Sequence, residues 1–155
     1  MRRHVISWSA GVALALMWRP IAAQAQQLDL TIAPAVVTFP TSDPDTAPLL
    51  NAAPLSVQYR VRANGNQPWV LTVLASGDLI SGLSRIPAAA VSWVATPAPP
   101  FRTGTLSSTQ AQPVASGNGN INPMQIATIT FRLTNSWTYD AGTYTQILTF
   151  TLSTP

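Results

Sequence analysis

The chain is predicted to be all-β, folded as an immunoglobulin-like antiparallel β-sandwich of seven to nine strands. Three observations lead there. Helix formers are scarce: the 155 residues contain no Glu and no Lys, and 14 prolines are spread along them. Several segments alternate apolar and polar residues with a period of two, as half-buried strands do. Clusters of Gly, Asn and Pro separate those segments at short intervals, the spacing of a many-stranded sandwich. No repeat of 20–50 residues is visible.

The first element is a leader. "MRRHVISWSAGVALALMWRPIAAQAQQ" has a basic head (Arg2, Arg3), an apolar run from Val5 to Trp18, and small residues at Ala23 and Ala25. This is the three-part pattern of a secretory signal peptide, with cleavage expected between Ala25 and Gln26. The apolar run is shorter than the ~20 residues a membrane span needs. Residues 1–25 are therefore expected to be removed, leaving 26–155 as a single β-sandwich domain with no membrane span. The product is exported: secreted, periplasmic or on the cell surface. The chain has no cysteine, so neither a lipid-modified cysteine nor a disulfide framework is available.

Removing the leader also removes the charge. The formal charge of +3 belongs to the whole chain. Residues 26–155 keep Arg60, Arg62, Arg85, Arg102 and Arg132 against Asp29, Asp43, Asp45, Asp78 and Asp140, which balance. Nothing in that balance favours nucleic acid or an anionic membrane as a partner.

Strands follow in order. "LDLTIAP" (28–34) alternates Leu28, Leu30 and Ile32 against Asp29, Thr31 and Ala33, and "VVTF" (36–39) continues extended. "SVQYRVRA" (56–63) sets Val57, Tyr59 and Val61 against Ser56, Gln58, Arg60 and Arg62. "NGNQP" is a turn, with Asn64-Gly65 its tightest signal. "WVLTVLA" (69–75) is apolar at nearly every position, as a central strand is. "SGDLISGLSRIP" reads as an irregular or edge segment, "AVSWVAT" as a strand stopped by "PAPP", and "FRTGTLS" as a short strand. Residues 109–122, "TQAQPVASGNGNIN", read as a mobile loop from their Gly, Asn and Pro content. "QIATITFRLTN" alternates Ile129, Phe131 and Leu133 against threonines and Arg132. One long last strand is expected to run to the C-terminus. It places Tyr144, Leu148, Phe150 and Leu152 on one face, interrupted by Gln146, with threonines on the other face and Ile147 as the exception.

"DAGTY" precedes that last strand. The triplet Asp140, Gly142, Tyr144 resembles the tyrosine corner of immunoglobulin-like sandwiches, in which a Tyr hydroxyl bonds back to the backbone near the preceding turn. Gly142 is expected to serve a backbone position closed to other residues. The immunoglobulin order places one further strand after this one, and only Ser153, Thr154 and Pro155 follow. "LDLTIAP" or "VVTF" is therefore expected to pair beside the last strand, unless another molecule does so.

The residue inventory argues against catalysis. Residues 26–155 contain no His, Cys, Lys or Glu, so neither a Ser-His-Asp triad nor a Cys/His zinc site can be assembled. Asp43 and Asp45 in "SDPDT" read as solvated carboxylates of a Pro-containing turn; the alternative is a weak Ca²⁺ site lacking the full loop pattern. No catalytic residue, cofactor or metal is assigned. Trp69 and Trp93 read as core. Trp137 and Tyr139 alternate into a turn, where they either cap the core or form an aromatic platform for a sugar ring or another apolar surface.

The stretches "PWVLTVLASGDL", "IPAAAVSW" and "LTNSWTYDAGTYTQILTFTLSTP" resemble small secreted bacterial β-sandwich proteins of unassigned activity. More distantly, the chain is similar to the WxL surface domain. Trp69-Val70-Leu71 matches its first motif and Phe150-Thr151-Leu152 its second, with Phe in place of Trp. That resemblance implies an extracellular β-rich domain held non-covalently on a cell wall, with cell-wall glycan or another envelope protein as partner. The "AGTY"-type last strand also resembles that of bacterial coat-protein-like pilins. Two functions follow as expectations. The first is a non-enzymatic secreted or cell-surface module with a binding or structural role at the envelope. The alternative is a fibre or pilus subunit that assembles by strand complementation.

Overall fold

The computed structural model describes residues 26–63 and 65–154. The expected leader and Asn64 of the "NGNQP" turn lie outside the described residues. The strands are β1 (Gln27–Ala33), β2 (Leu49–Asn51), β3 (Leu55–Arg62), β4 (Pro68–Ala75), β5 (Leu79–Ser81), β6 (Ser84–Ile86), β7 (Val91–Thr96), β8 (Gly104–Thr105), β9 (Gln112–Asn118), β10 (Ile121–Thr134) and β11 (Leu148–Ser153). Seven of the eleven have six residues or more; the others are pieces of two or three residues. One 3₁₀ turn, Ala88–Ala90, precedes β7.

All ladders are antiparallel. One sheet runs β1-β3-β10-β7-β8, with β2 extending the β3 side of β10; the second runs β11-β4-β9; β5 and β6 form a hairpin. The order β1-β3-β10-β7 is the A-B-E-D order of an immunoglobulin sandwich, and β4 with β11 stand as C and F of the opposing sheet. Position G, outside β11, is held by no described strand.

Period-two alternation decides which face each strand buries, since a one-residue slip would turn every apolar side chain outward. Val57, Tyr59 and Val61 of β3, Leu71 and Val73 of β4, and Ile129 and Phe131 of β10 all point between the sheets and are buried. Tyr59 sits at the centre, its ring 5.6 Å from Trp69 and 5.5 Å edge-on from Phe101. Such tilted and edge-to-face contacts suit the charge distribution of aromatic rings. Each fully buried large apolar side chain contributes about 1.5–3 kcal/mol.

Four local expectations are corrected. Residues 109–122 are not a loop: they hold β9 and the start of β10, and Val114 and Ala115 are buried. Their small residues have a packing cause. Trp69 is paired with Gly117 of β9, and a Cβ at Gly117 would lie 2.7 Å from the indole Cζ2. Trp93 is paired with Gly104 of β8, where a Cβ would run into the same part of the ring. Each buried indole lies across a glycine of the next strand. Secondly, "SGDLISGLSRIP" forms the β5–β6 hairpin, turning at Gly82 with φ +58°. Thirdly, the last ladder is shorter than the alternation suggests: β11 begins only at Leu148, and residues 143–147 contribute a single bridge, Ile80 to Thr145. Fourthly, β1 pairs with β3 and residues 36–39 belong to no strand, so neither segment flanks β11.

The two lateral edges of the sandwich differ. On the β8/β9 side the chain crosses between the sheets: Phe101 bridges Ala115, Arg102 N–H donates to Val114 O at 2.9 Å, and Leu106 N–H donates to Val91 O at 2.8 Å. Phe101 and Leu106 are each 2% exposed. On the β1/β11 side no ladder joins the sheets among the described residues; near one end the Thr154 hydroxyl and the Gln26 side-chain oxygen are 2.8 Å apart.

Candidate functional site: the open edge

Beyond that contact, the β1/β11 edge opens into a groove of about 750 Å³, within the range of pockets that hold ligands. Its floor is core: Leu55, Leu79, Val91, Leu106 and Phe131. Leu30 and Ile32 of β1 with residues 34–39 form one wall; residues 143–148 and Phe150 form the other. No lining residue carries a charge.

Among the described residues, both walls leave backbone groups outside any ladder. β11 pairs with β4 on one side only, and every second residue of such an edge turns its N–H and C=O outward. Opposite, Val37 and Phe39 are half-buried against the core while Val36 and Thr38 are exposed. That alternation is strand-like, yet among the described residues no backbone hydrogen bond involves residues 35–39. Unpaired main chain is costly to leave dry and is normally matched by a ladder or by water. The groove thus presents main chain on two sides, where an added strand would find ladder partners.

Residues 140–147 are held in place by the β5–β6 hairpin. The Tyr144 hydroxyl donates to the Asp140 carbonyl at 2.9 Å, and the Ser84 hydroxyl donates to the Asp140 carboxylate. Gly142 lies against Ser81, whose Oγ would be 2.5 Å from a Cβ. Its φ is not in the positive range, so close approach rather than turn geometry selects glycine here. Ile80 and Thr145 exchange two backbone bonds of 3.0 Å. Gln146, which interrupts the apolar face, is accommodated by donating to the Gly77 carbonyl at 2.6 Å.

The two halves of the WxL-like pattern stand on paired strands. Trp69 and Leu71 lie on β4 and are buried. Phe150 and Leu152 lie on β11, half-buried, with Leu152 opposite Leu71. Phe150 lines the groove. Trp137 and Tyr139 part company: Tyr139 packs against the core, whereas Trp137 is 68% exposed. The Trp137 Nε1–H donates to Asp45 Oδ1 at 3.0 Å. Asp45 itself sits in a turn where its N–H bonds Asp43 Oδ1 at 2.8 Å, and the Asn135 side chain ties the two loops by donating to Ser42 O and Ala47 O. Trp137 does not line the groove.

Among the described residues no group of three or more His, Cys, Asp or Glu converges as a metal site, and no helix is long and apolar enough to cross a membrane. Among the described residues the one ion pair, Asp29 with Arg60, is part-exposed on the outer sheet face, a setting that contributes little stability. Burial pushes the Tyr59 phenol above its ordinary pKa.

The sequence marked residues 36–39 as extended, but not their place as a wall of the groove, because the elements they face are distant in the chain. Ile147 did leave a signal, as the one apolar residue on a threonine face. No family model matches the chain, and no curated protein matches it.

Proposed function

We propose that this chain is a non-enzymatic, exported β-sandwich protein of the cell envelope that accepts a strand from another molecule, as a fibre or pilus subunit does. The position beside β11 that no described strand holds, bordered by the outer edge of β11 and by residues 35–39, carries this reading. A polypeptide strand is the ligand that supplies donors and acceptors at the spacing of both walls, while its side chains fill an uncharged groove. The lack of His, Cys, Lys and Glu in residues 26–155 supports a structural rather than catalytic role. Hydrogen exchange tests the reading. In the isolated chain, amides of 35–39 and the outward amides of 148–153 should exchange far faster than those of β4, and both stretches should become protected in the assembled form. Protection of both in a stable monomer would sink the reading.

A second reading rests on Trp137. An exposed indole, fixed by Asp45 and so already ordered, suits stacking against a sugar ring of cell-wall glycan. Trp137→Ala should abolish pull-down by purified glycan without lowering the melting temperature; unchanged pull-down would remove this reading and leave the first intact.

A further inference from the structure

On the strand-accepting reading, the lips of the groove also select the outward face of its occupant. Val36 on one wall and Ile147 on the other are each 71% exposed, and both line the groove. Their neighbours on the same outer surface, Thr38, Thr145 and Thr149, are polar and exposed, so the two apolar residues interrupt an otherwise hydrophilic face. A strand laid between the walls drops alternate side chains onto Leu55, Phe131 and Phe150, and turns the others outward between Val36 and Ile147. Side chains of adjacent strands on one face contact each other directly, and apolar or β-branched neighbours stabilise the pair.

We propose that the groove takes an extended, uncharged strand of a separate protein, apolar at its inward positions and carrying one further apolar residue on its outward face, between Val36 and Ile147. The uncharged lining excludes a strand with an inward carboxylate or ammonium, which would be desolvated without a partner. Among the described residues every strand is engaged in a ladder and the extended stretch 35–39 already forms one wall of the groove, so a second copy would have to pull a segment from its own place to donate it, a cost that a strand of a separate polypeptide does not carry.

Synthetic nine-residue peptides added to the full chain test this. One alternates valine inward with threonine outward; a second replaces the central outward threonine by isoleucine; a third places aspartate at the central inward position. The isoleucine peptide should bind about two- to fivefold tighter than the first, and the aspartate peptide should not bind. The isoleucine advantage should vanish in Val36→Thr and Ile147→Thr, whose melting temperatures should match the wild type. If the advantage persists in both variants, the lip assignment is wrong and strand acceptance stands. If no peptide binds and 148–153 stays unprotected throughout, strand acceptance itself is wrong. If the chain alone polymerises and protects 148–153, the occupant is a second copy, which overturns the separate-protein assignment.

Discussion

The two lateral edges of this sandwich meet the same physical problem in opposite ways. At the β8/β9 edge, a crossing segment buries Phe101 and Leu106 and ties the sheets together through backbone bonds. At the β1/β11 edge, the sheets part and leave an apolar groove bordered by unpaired main chain. Bare edges invite pairing with other chains and are usually blunted by charge, proline or a bulge. Here the lining holds no charge. The sealed side sets off the open one, and on the reading proposed above the open side is the one that another chain fills.

The largest test of that contrast compares two phenylalanines. Phe101→Ala at the sealed edge should cost about 3–5 kcal/mol, the usual loss for a buried Phe. Phe150→Ala at the open edge removes a half-buried ring and should cost about 1–2 kcal/mol in the isolated chain. Urea unfolding reads both, and equal losses would mean that the β11 edge is as well packed as the other. The gap should narrow once a strand occupies the groove, because Phe150 then becomes fully buried.

Tyr144→Phe sharpens the same comparison at lower amplitude. It deletes the hydroxyl bond to Asp140 and should cost about 0.5–1.5 kcal/mol. The effect should concentrate on the open edge: faster exchange at residues 145–148, with β8 and β9 unchanged. Uniform loosening of both edges would contradict it.

The smallest effect at neutral pH is the alkaline response of the core that both edges share. Burial favours the neutral Tyr59 phenol. Its contribution is complete below the unfolded-chain pKa of about 10 and is lost as pH rises through the higher folded value. Thermal melts should therefore be flat with respect to this group through neutral pH and fall above about pH 10. Tyr59→Phe should blunt that fall; an unchanged alkaline slope would place its origin elsewhere.

Strands that carry their own evidence were legible in the sequence. β3 and the C-terminal half of β10 alternate so regularly that a period-two reading finds both the strand and its buried face, while β4 and β7 show as short, mostly apolar runs. β9 was not legible, because Gly117 and the Ser and Asn around it carry the composition of a loop. Their smallness answers to Trp69, nearly fifty residues earlier, and no local window joins the two. The open edge was half legible. The oddity of Ile147 could be read from its pattern. The wall at 35–39 and the supporting β5–β6 hairpin depend on contacts that only the folded chain reveals.

The two tryptophan–glycine pairs have a consequence for how the sheets assemble. Trp69 fits over Gly117, and Trp93 over Gly104, because those positions lack a Cβ. If β9 slid by two residues, the Trp69 indole would meet Ala115 or Gly119 instead of Gly117. Only the second of these is free of a Cβ, and it lies past the end of the strand, in a turn with φ +75°. A matching slip of β8 would set Trp93 against Arg102 or Leu106. Each pair therefore works as a lock with one keyhole, admitting a single alignment of an outer strand that has few other features to choose its register.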